Sequence, residues 1–274
     1  MCRHVAYIGP PVPLRSVLID PPLGLYRQSW APRMQLHGTV NADGFGIGWY
    51  ADGDPVPARY RRVVPIWGDQ SLPDLARVTR SAAMLAAVRS ATPGTVFGES
   101  AVAPFASGPW LFSHNGVLHP LAGLNPIAGP NPPADLNPPA EEPPAALQRL
   151  METVNPLSLE AVVDSAFLWA LVLERLRAGD APDTALAATI GSVEAAGGSG
   201  RFNFLLTDGR SIVATTAGDT LWYLRAGGAV TVASEPCDDE PGWTQVPDRQ
   251  VLTAVPSRVT VRPLAALLEG ISVH

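Results

Sequence analysis

Short apolar or alternating runs, bounded by glycine, proline and aspartate, dominate the chain. Runs of this kind, about four to eight residues long, are typical of β-strands. In the last third of the chain they are separated by TDG, AGD and AGG, turn signals that predict consecutive antiparallel hairpins. The predicted strands are residues 4–8, 45–50, 58–64, 84–89, 110–114, 201–207, 211–216, 220–225, 229–233, 250–255 and 258–262.

Three segments carry helical patterns instead, at residues 71–81, 165–177 and 181–196. The first begins at Ser71, a residue type that caps helix N-termini. The second is apolar almost all round in its first turns and basic at its end, as expected of a buried helix. The third has Pro182 near its start and glycines just past its end. These elements indicate an α+β protein with many strands and few helices.

Residues 119–144 differ in composition from the rest, with nine of the 29 prolines and almost no large apolar side chains. Such a segment buries too little apolar surface to fold alone, so we predict a mobile, partly polyproline loop. It is either a domain linker or an insertion. We favour an insertion because the strands predicted on either side need partners.

Composition narrows the class of protein. A formal net charge of −6 argues against an electrostatic nucleic-acid binder. No run of about 18 apolar residues occurs, so we expect no membrane span, and the apolar stretch 5–8 is too short for a signal peptide. The two cysteines, Cys2 and Cys237, form no disulfide framework, which fits a reducing cytoplasm. No spacing of cysteines or histidines indicates a zinc site.

Cys2 directly follows the initiator methionine, and removal of Met1 would place a thiol and a free α-amine on one residue. An α-amine has an unperturbed pKa of about 7.7–8.0, close to the pH at which a general base works best. It can therefore take the thiol proton and leave a nucleophilic thiolate. The alternative is that Cys2 is a small apolar residue starting a strand.

A second candidate feature is WLFSHNG (110–116), a predicted strand that runs into Asn115 and Gly116. An amide side chain beside an unobstructed backbone N–H supplies the donors of an oxyanion hole. Asn-Gly also strongly favours a type I′ hairpin turn. Both interpretations stay open at this point.

Charged residues at element ends are further candidates. Arg89 ends a predicted strand and is followed by the hydroxyls of Ser90 and Thr92, a combination that suits a carboxylate; a surface salt bridge is the alternative. Asp164 stands at a predicted helix start, where it either caps the helix or binds an ammonium group. The glycines of 37–50 lack the strand–GxGxxG–helix order of nucleotide sites, so we expect a loop packed close to the active site.

In this order, Cys2, Arg89 in RSAT, Asn115-Gly116 in SHNG and Asp164 in DSA resemble the class II glutamine amidotransferases, which are N-terminal nucleophile hydrolases. The opening MCRH, the NADGFGIG stretch and SEP are more specifically similar to the γ-glutamyl hydrolases of ergothioneine biosynthesis. The resemblance covers most of the chain outside the proline-rich segment. It implies a four-layer αββα sandwich of two antiparallel sheets, with residues 1–274 as one glutamine amidotransferase type-2 domain.

The resemblance also implies chemical roles. Cys2 would be the nucleophile and its own amine the base, while Asn115 and the Gly116 N–H would stabilise the oxyanion. No metal or organic cofactor is implied, and no obligate protein partner is indicated.

For the substrate, the resemblance implies that Arg89, helped by Thr92, holds the α-carboxylate of a γ-glutamyl group and that Asp164 holds its α-ammonium. The expected small molecule is γ-glutamyl-hercynylcysteine sulfoxide, cleaved to glutamate and hercynylcysteine sulfoxide. Ser90 stands where relatives that close over glutamine have tryptophan, and no second domain follows to receive ammonia. Both departures favour a hydrolase over a glutaminase subunit of a separate synthase or a non-catalytic γ-glutamyl-binding protein, which stay as alternatives.

The trimethylammonium group of this substrate suits an aromatic cage. Candidates are Trp49, Trp67, Trp110 and Trp243, with ordinary packing as the alternative for each. We expect the remaining polar candidates, His4, His37 and His114, to be structural hydrogen-bonding residues and Cys237 to be a bystander.

Overall fold

The computed structural model describes residues 2–36, 38–91, 98–121 and 142–269. Two antiparallel sheets contain its strands, which are β1 (Arg3–Pro13), β2 (Phe45–Trp49), β3 (Ala58–Arg62), β4 (Arg80–Val88), β5 (Phe105–Ser107), β6 (Trp110–His119), β7 (Ser199–Thr207), β8 (Ile212–Thr216), β9 (Trp222–Ala226), β10 (Ala229–Ala233), β11 (Thr244–Gln245), β12 (Gln250–Val255) and β13 (Arg258–Pro263). The first sheet has the order β11-β9-β10-β1-β4-β2-β3 and the second β13-β12-β8-β7-β6-β5.

Helices cover the two sheets. They are α1 (Arg15–Leu18), α2 (Leu25–Gln28), α3 (Leu72–Val78), α4 (Ala145–Glu152), α5 (Asp164–Ala178), α6 (Pro182–Ala195) and α7 (Leu264–Leu268). A short 3-10 turn at Ile66–Gly68 follows β3.

Three apolar clusters define four layers. The first packs α1, α2 and α3 against the outer face of the first sheet, through residues such as Leu18, Leu25, Leu72, Val5 and Phe45. The second lies between the inner faces of the two sheets and includes Ala6, Ile8, Leu85, Leu111 and Leu205. The third packs α5 and α6 against the outer face of the second sheet, with Phe112, Phe204, Leu168 and Ile190. The αββα arrangement expected from the resemblance is confirmed.

A glycine in β2 packs directly against the second sheet. A Cβ atom on Gly48 would lie 2.7 Å from Leu111 Cδ1 of the second sheet. A larger residue would therefore require the Leu111 side chain to move at this point.

Every predicted strand is present, but β6 is longer than expected. It does not stop at His114; it continues through Asn115 and Gly116 to His119, and pairs with β7 along this length. The type I′ turn considered for Asn-Gly is therefore wrong. Strands β5 and β11 escaped prediction because they have only three and two residues.

The hairpin prediction holds for β7–β8, β9–β10 and β12–β13, each of which pairs along the sequence. It is wrong for the AGD signal at 217–219. There the chain leaves β8 in the second sheet and enters β9 in the first. A turn signal marks a change of direction, whereas the sheet joined by the next strand depends on packing.

The first predicted helix is shorter than its pattern. It ends at Val78, and Arg80 and Ser81 already belong to β4. Ser71 makes no side-chain cap; instead Asp69 Oδ1 accepts the backbone N–H groups of Ser71 and Leu72 at 2.9 and 3.1 Å. The carboxylate two residues earlier replaces the expected hydroxyl.

Residues 122–141 of the predicted proline-rich loop lie outside the described residues. Of its ends, His119 belongs to β6, and Pro144 directly precedes α4. No helix in the described part of the chain is long and apolar enough to cross a membrane.

The contact between α5 and the second sheet generates a stability prediction. Phe112 is fully buried and stacks on Trp169 with ring centroids 5.2 Å apart. Phe112→Ala should lower the free energy of unfolding by about 3–5 kcal/mol, because it removes this contact and leaves a cavity. Urea unfolding followed by circular dichroism measures the change. Leu157→Ala, at a residue 94% exposed, is the control and should stay within about 0.5 kcal/mol of the parent; a similar small loss for Phe112→Ala would contradict the packing role.

Candidate active site

Cys2 lies immediately before β1, a strand in the interior of the first sheet. Side chains alternate between the two faces of a strand. Ala6 and Ile8 belong to the cluster between the sheets, whereas Val5 and Tyr7 face the helices. This alternation places His4 and the half-buried Cys2 on the inner face, directed toward the second sheet.

The second sheet presents polar side chains to the same region. Leu111 of β6 belongs to the cluster between the sheets, so Ser113 and Asn115 also face inward. Ser113 Oγ lies 3.2 Å from His4 Nδ1, which joins the two sheets at this level. Asn115 lies two residues further along β6, and Cys2 lies two residues before His4.

The Asn115 side chain is fully buried, and neither its Oδ1 nor its Nδ2 has a hydrogen-bond partner within the described residues. A buried amide without partners costs about 1–3 kcal/mol. The Asn115 amide is therefore available to form a hydrogen bond with a bound molecule.

Gly116 is required by the backbone around it. A Cβ atom there would overlap the Arg201 carbonyl oxygen and lie 2.5 Å from His114 Nε2. The Asn-Gly pair is thus part of a tightly packed strand, in which the amide faces inward and the glycine allows β7 and His114 to approach.

Arg89 lies beside Cys2. The register pairs Arg3 with Val88, so the next pair outward is Cys2 and Arg89, both on the inner face. The Arg89 N–H donates to Gly44 O at 2.8 Å, and its carbonyl accepts from Asp43 N at 2.9 Å. The loop expected to pack near the active site therefore contacts Arg89 directly. Thr92 and His37 lie outside the described residues.

Asp164 is the first residue of α5, and its carboxylate links the helix to β6. Oδ2 accepts the Leu118 N–H at 3.0 Å, and Oδ1 accepts the Ser165 N–H at 2.7 Å. It does not act as a helix cap of the usual kind, because the helix begins after Val163 without a side-chain cap. Asp164 is fixed relative to the strand that contains Asn115.

His114 lies on the outer face of β6, and burial lowers its pKa. Its Nε2 donates to the Arg201 carbonyl at 2.8 Å, since that oxygen can only accept. In the neutral ring Nδ1 is therefore unprotonated, and it accepts a hydrogen bond from Ser165 Oγ at 3.0 Å. This histidine links β6, β7 and α5, which is the structural role expected for it.

Three supporting residues were missed in the sequence. Asn203, paired with Asn115, donates to Asp219 O at 2.8 Å and accepts the Ala217 N–H at 3.0 Å, which fixes the crossover from β8 to β9. The signal in the sequence was the single amide side chain of Asn203 within the apolar strand RFNFLL, on the face that alternates with the phenylalanines.

The other two are Glu235 and Arg3, both fully or almost fully buried. The Glu235 carboxylate accepts the N–H groups of Arg33 and Met34 at 2.6–3.0 Å. Burial lowers the pKa of the neighbouring Arg3, while Glu235 opposes that shift. Both residues lie in stretches that carry the resemblance, MCRH and SEP, but no local pattern indicated that their charges would influence each other.

Cys237 contrasts with Cys2. It is buried in the outer apolar cluster, where burial raises the pKa of its thiol to about 12. A protonated, buried thiol is a poor nucleophile, which agrees with its expected bystander role.

The chain is 40% identical over 268 residues to the γ-glutamyl-hercynylcysteine sulfoxide hydrolase of Mycolicibacterium smegmatis, covering 96% of this chain and 100% of that protein. It is also 40% identical, over 264 residues, to the Mycobacterium tuberculosis protein of the same name, covering 96% and 97%. No family model matches the chain.

Among solved structures, a glutamine aminotransferase class-II domain protein from Silicibacter pomeroyi superposes with a TM-score of 0.62 at 22% identity, covering 96% of this chain and 99% of that one. Bacillus subtilis glutamine phosphoribosylpyrophosphate amidotransferase gives a TM-score of 0.61 at 17% identity, covering 96% and 49%. At these identities, the two structures show that the fold is shared.

The buried His4 generates a pH prediction. Burial, helped by His114 and Arg3, lowers its pKa from 6.5 to about 3. Between these values the unfolded chain binds a proton that the folded protein does not. The free energy of unfolding should therefore fall as pH decreases from about 6.5 to 3, with His4 contributing about 1.4 kcal/mol per pH unit.

Urea unfolding at a series of pH values tests this contribution. His4→Asn should reduce the slope of the free energy of unfolding against pH by up to about 1.4 kcal/mol per pH unit, the contribution of one proton. An unchanged slope in His4→Asn would contradict the assignment.

Proposed function

The chain belongs to the family of the γ-glutamyl-hercynylcysteine sulfoxide hydrolases, and we propose that it hydrolyses the γ-glutamyl amide bond of this sulfoxide with Cys2 as the nucleophile. The observation that supports this assignment most directly is the convergence of inner-face groups from two sheets. Cys2 and Arg89 come from neighbouring strand ends of the first sheet, and the Asn115 amide, without a hydrogen-bond partner in the part of the chain that the structure describes, comes from the second.

The first step requires the α-amine of Cys2, and therefore the removal of Met1. The amine takes the thiol proton, and sulfur attacks the γ-carbonyl carbon of the substrate. The carbonyl π electrons move to oxygen and form a tetrahedral oxyanion. When the intermediate collapses, the C–N bond breaks, and the nitrogen of the departing hercynylcysteine sulfoxide takes the proton from the α-ammonium.

The second step releases glutamate. The product of the first step is a γ-glutamyl thioester on Cys2. The free α-amine removes a proton from water, which attacks the thioester carbonyl, and the C–S bond breaks with return of the proton to sulfur. No other reactant is needed.

Asn115 is the proposed oxyanion donor, with the Gly116 N–H beside it. Its Nδ2 is buried and has no partner among the described residues, so none of them gives it a hydrogen bond that must break when negative charge develops. A donor that is already desolvated and oriented stabilises the transition state with little reorganisation.

The glutamyl group is proposed to be bound at both of its charged ends. The Arg89 guanidinium suits the α-carboxylate because it offers a planar fork of donors; Thr92 is the proposed additional donor. Asp164, which already accepts from Leu118 and Ser165, is proposed to accept from the α-ammonium. Fixing the two ends would present the γ-carbonyl to sulfur.

Substitution of the two cysteines tests the nucleophile. Cys2→Ala should lower glutamate release from the sulfoxide by roughly 10⁴-fold or more, because no other group replaces the thiolate. Cys237→Ala is the matched control and should keep activity. Equal rates for wild type and Cys2→Ala would dismiss the mechanism.

Two further measurements complete this test. The intact mass of the purified protein shows whether Met1 has been removed. Free glutamine offered as a competing substrate distinguishes a glutaminase, which would hydrolyse it readily.

Substitution of Asn115 tests the oxyanion donor. Asn115→Ala should lower kcat by about 10²–10³, because it removes one donor from the transition state, with a much smaller change in KM. Asn155→Ala, at an asparagine that only caps a 3-10 turn, is the control. A loss confined to KM would assign Asn115 to ground-state binding instead.

A further inference from the structure

Trp30 and Trp67 form a corner of two aromatic walls, which we call the aromatic corner. Their ring centroids lie 5.6 Å apart and their planes are nearly perpendicular, at 86°. Tyr26 packs edge-on against Trp30 at 5.1 Å. The two tryptophans line an open cavity of about 410 Å³, and Trp67 remains 39% exposed. Large aromatic rings held at right angles around an open space are suited to a quaternary ammonium group.

The aromatic corner lies near the same end of the strands of the first sheet as Cys2. Gly44, directly before β2, accepts from Arg89 at the end of β4. Phe45 pairs with Arg62, the last residue of β3, so β3 ends at that edge too. Trp67 follows five residues after Arg62. The chain therefore passes from the end of the strands at which Cys2 lies to one wall of the corner within five residues.

Trp30 is connected to the same edge by backbone hydrogen bonds. Asp43 N donates to Arg89 O at 2.9 Å, and Asn41 N donates to Ser29 O at 2.6 Å. Asn41 is fully buried, and its Nδ2 also donates to Gln28 O at 3.2 Å. The end of α2 is thus fixed to the loop that contacts Arg89, and Trp30 has a defined position relative to the proposed glutamyl site.

We propose that the aromatic corner binds the trimethylammonium group at the far end of the substrate, and so determines which γ-glutamyl amide is accepted. This inference rests on the proposed function. The glutamyl head is common to all γ-glutamyl compounds, so selection for this sulfoxide requires contacts with its amine side. A permanent cation that cannot donate hydrogen bonds is recognised best by aromatic faces.

Arg27 determines how the charged end fits. Its guanidinium carbon lies 5.3 Å from the centroid of the Trp30 ring, so one cation already borders the corner. A second cation alone would be repelled. The substrate end is a betaine, with a carboxylate one carbon from the ammonium, and this carboxylate can pair with Arg27. The site thus favours a zwitterion over a simple cation.

The other tryptophan candidates are placed elsewhere. Trp49 is at the opposite end of β2 from Phe45, and Trp110 is at the opposite end of β6 from His119. The Trp243 Nε1 donates to Asp238 Oδ1 at 2.7 Å, and its ring packs against the outer apolar cluster. Of the four tryptophans considered from the sequence, Trp67 alone lines this cavity.

The test compares two substrates in two variants of Trp67. One substrate is the sulfoxide itself; the other is γ-glutamyl-S-methylcysteine sulfoxide, which keeps the glutamyl and sulfoxide groups but lacks the betaine. Trp67→Leu should raise KM for the full substrate about tenfold with little change in kcat, and Trp67→Phe should recover most of this loss because it restores an aromatic face. Both variants should act on the truncated substrate like wild type. Trp110→Leu is the control, and melting temperatures confirm folding.

Equal losses on both substrates, or no loss on either, would overturn the proposal. A tert-butyl isostere of the full substrate adds a check on charge: it should bind more weakly than the trimethylammonium compound to wild type and equally to Trp67→Leu. Equal binding of the two compounds to wild type would also overturn it.

A direct binding measurement separates this proposal from the proposed function. Nα-trimethylhistidine and histidine are titrated into wild type and Trp67→Leu, with tryptophan fluorescence or calorimetry as the readout. If wild type prefers the trimethylated compound and Trp67→Leu does not, the aromatic corner is supported. If wild type also releases no glutamate from the sulfoxide, only the proposed function is contradicted. Glutamate release by wild type without any such preference overturns the aromatic corner and leaves the function intact.

Discussion

The antiparallel pairing of β1 on both of its edges is the constraint on which the proposed site depends. A chain terminus is normally among the least ordered parts of a domain. Here Arg3 pairs with Val88 on one side, and His4 exchanges backbone and side-chain hydrogen bonds with Ser234 on the other. The residue proposed to attack the substrate is thereby fixed to the interior of a seven-stranded sheet. Its thiol, and the α-amine that removal of Met1 would expose, would thereby have defined positions that a frayed terminus lacks.

That placement has an energetic cost, because polar groups are buried between and beside the sheets. His4 stays neutral far below its usual pKa, and the amide of Asn115 lacks hydrogen-bond partners within the described residues. Well-packed apolar side chains at these positions would stabilise the fold more. The surrounding core offsets the cost: Ala6, Leu111 and Leu205 fill the space between the sheets. Unsatisfied groups at the reacting end are consistent with a site that is completed by its substrate.

The sheet edge also explains how a common fold can serve different amides. Arg89, Asn115 and Asp164 are the residues proposed to contact the glutamyl group, which the proposed reaction shares with glutamine hydrolysis. The proposed site for the amine side lies toward α2 and the turn after β3, where helices and loops vary more easily than paired strands. In this chain that region holds Trp30, Trp67 and Arg27. Selectivity would then reside in segments whose change leaves the catalytic groups in place.

The sequence by itself determined the local elements and the chemical candidates. Alternating apolar residues specify strands, and the period of the 165–177 segment specifies a helix, because both depend on backbone geometry within a few residues. Cys2, Arg89, Asn115 and Asp164 were identified by residue type and by their resemblance to a family. Even so, the extent of β6 was wrong, since Asn-Gly favours a turn locally and pairing with β7 outweighs that preference.

Only the tertiary structure decided which distant residues meet. The pairing of β1 with β10 joins residues about 230 positions apart, and the contact of Trp30 with Trp67 depends on two separate chain segments folding over one sheet edge. Such contacts close long loops, whose entropy cost is met only by the packing of the whole core. No local pattern reports that balance. The sequence therefore supplied the candidate nucleophile, whereas the fold determined which residues surround it.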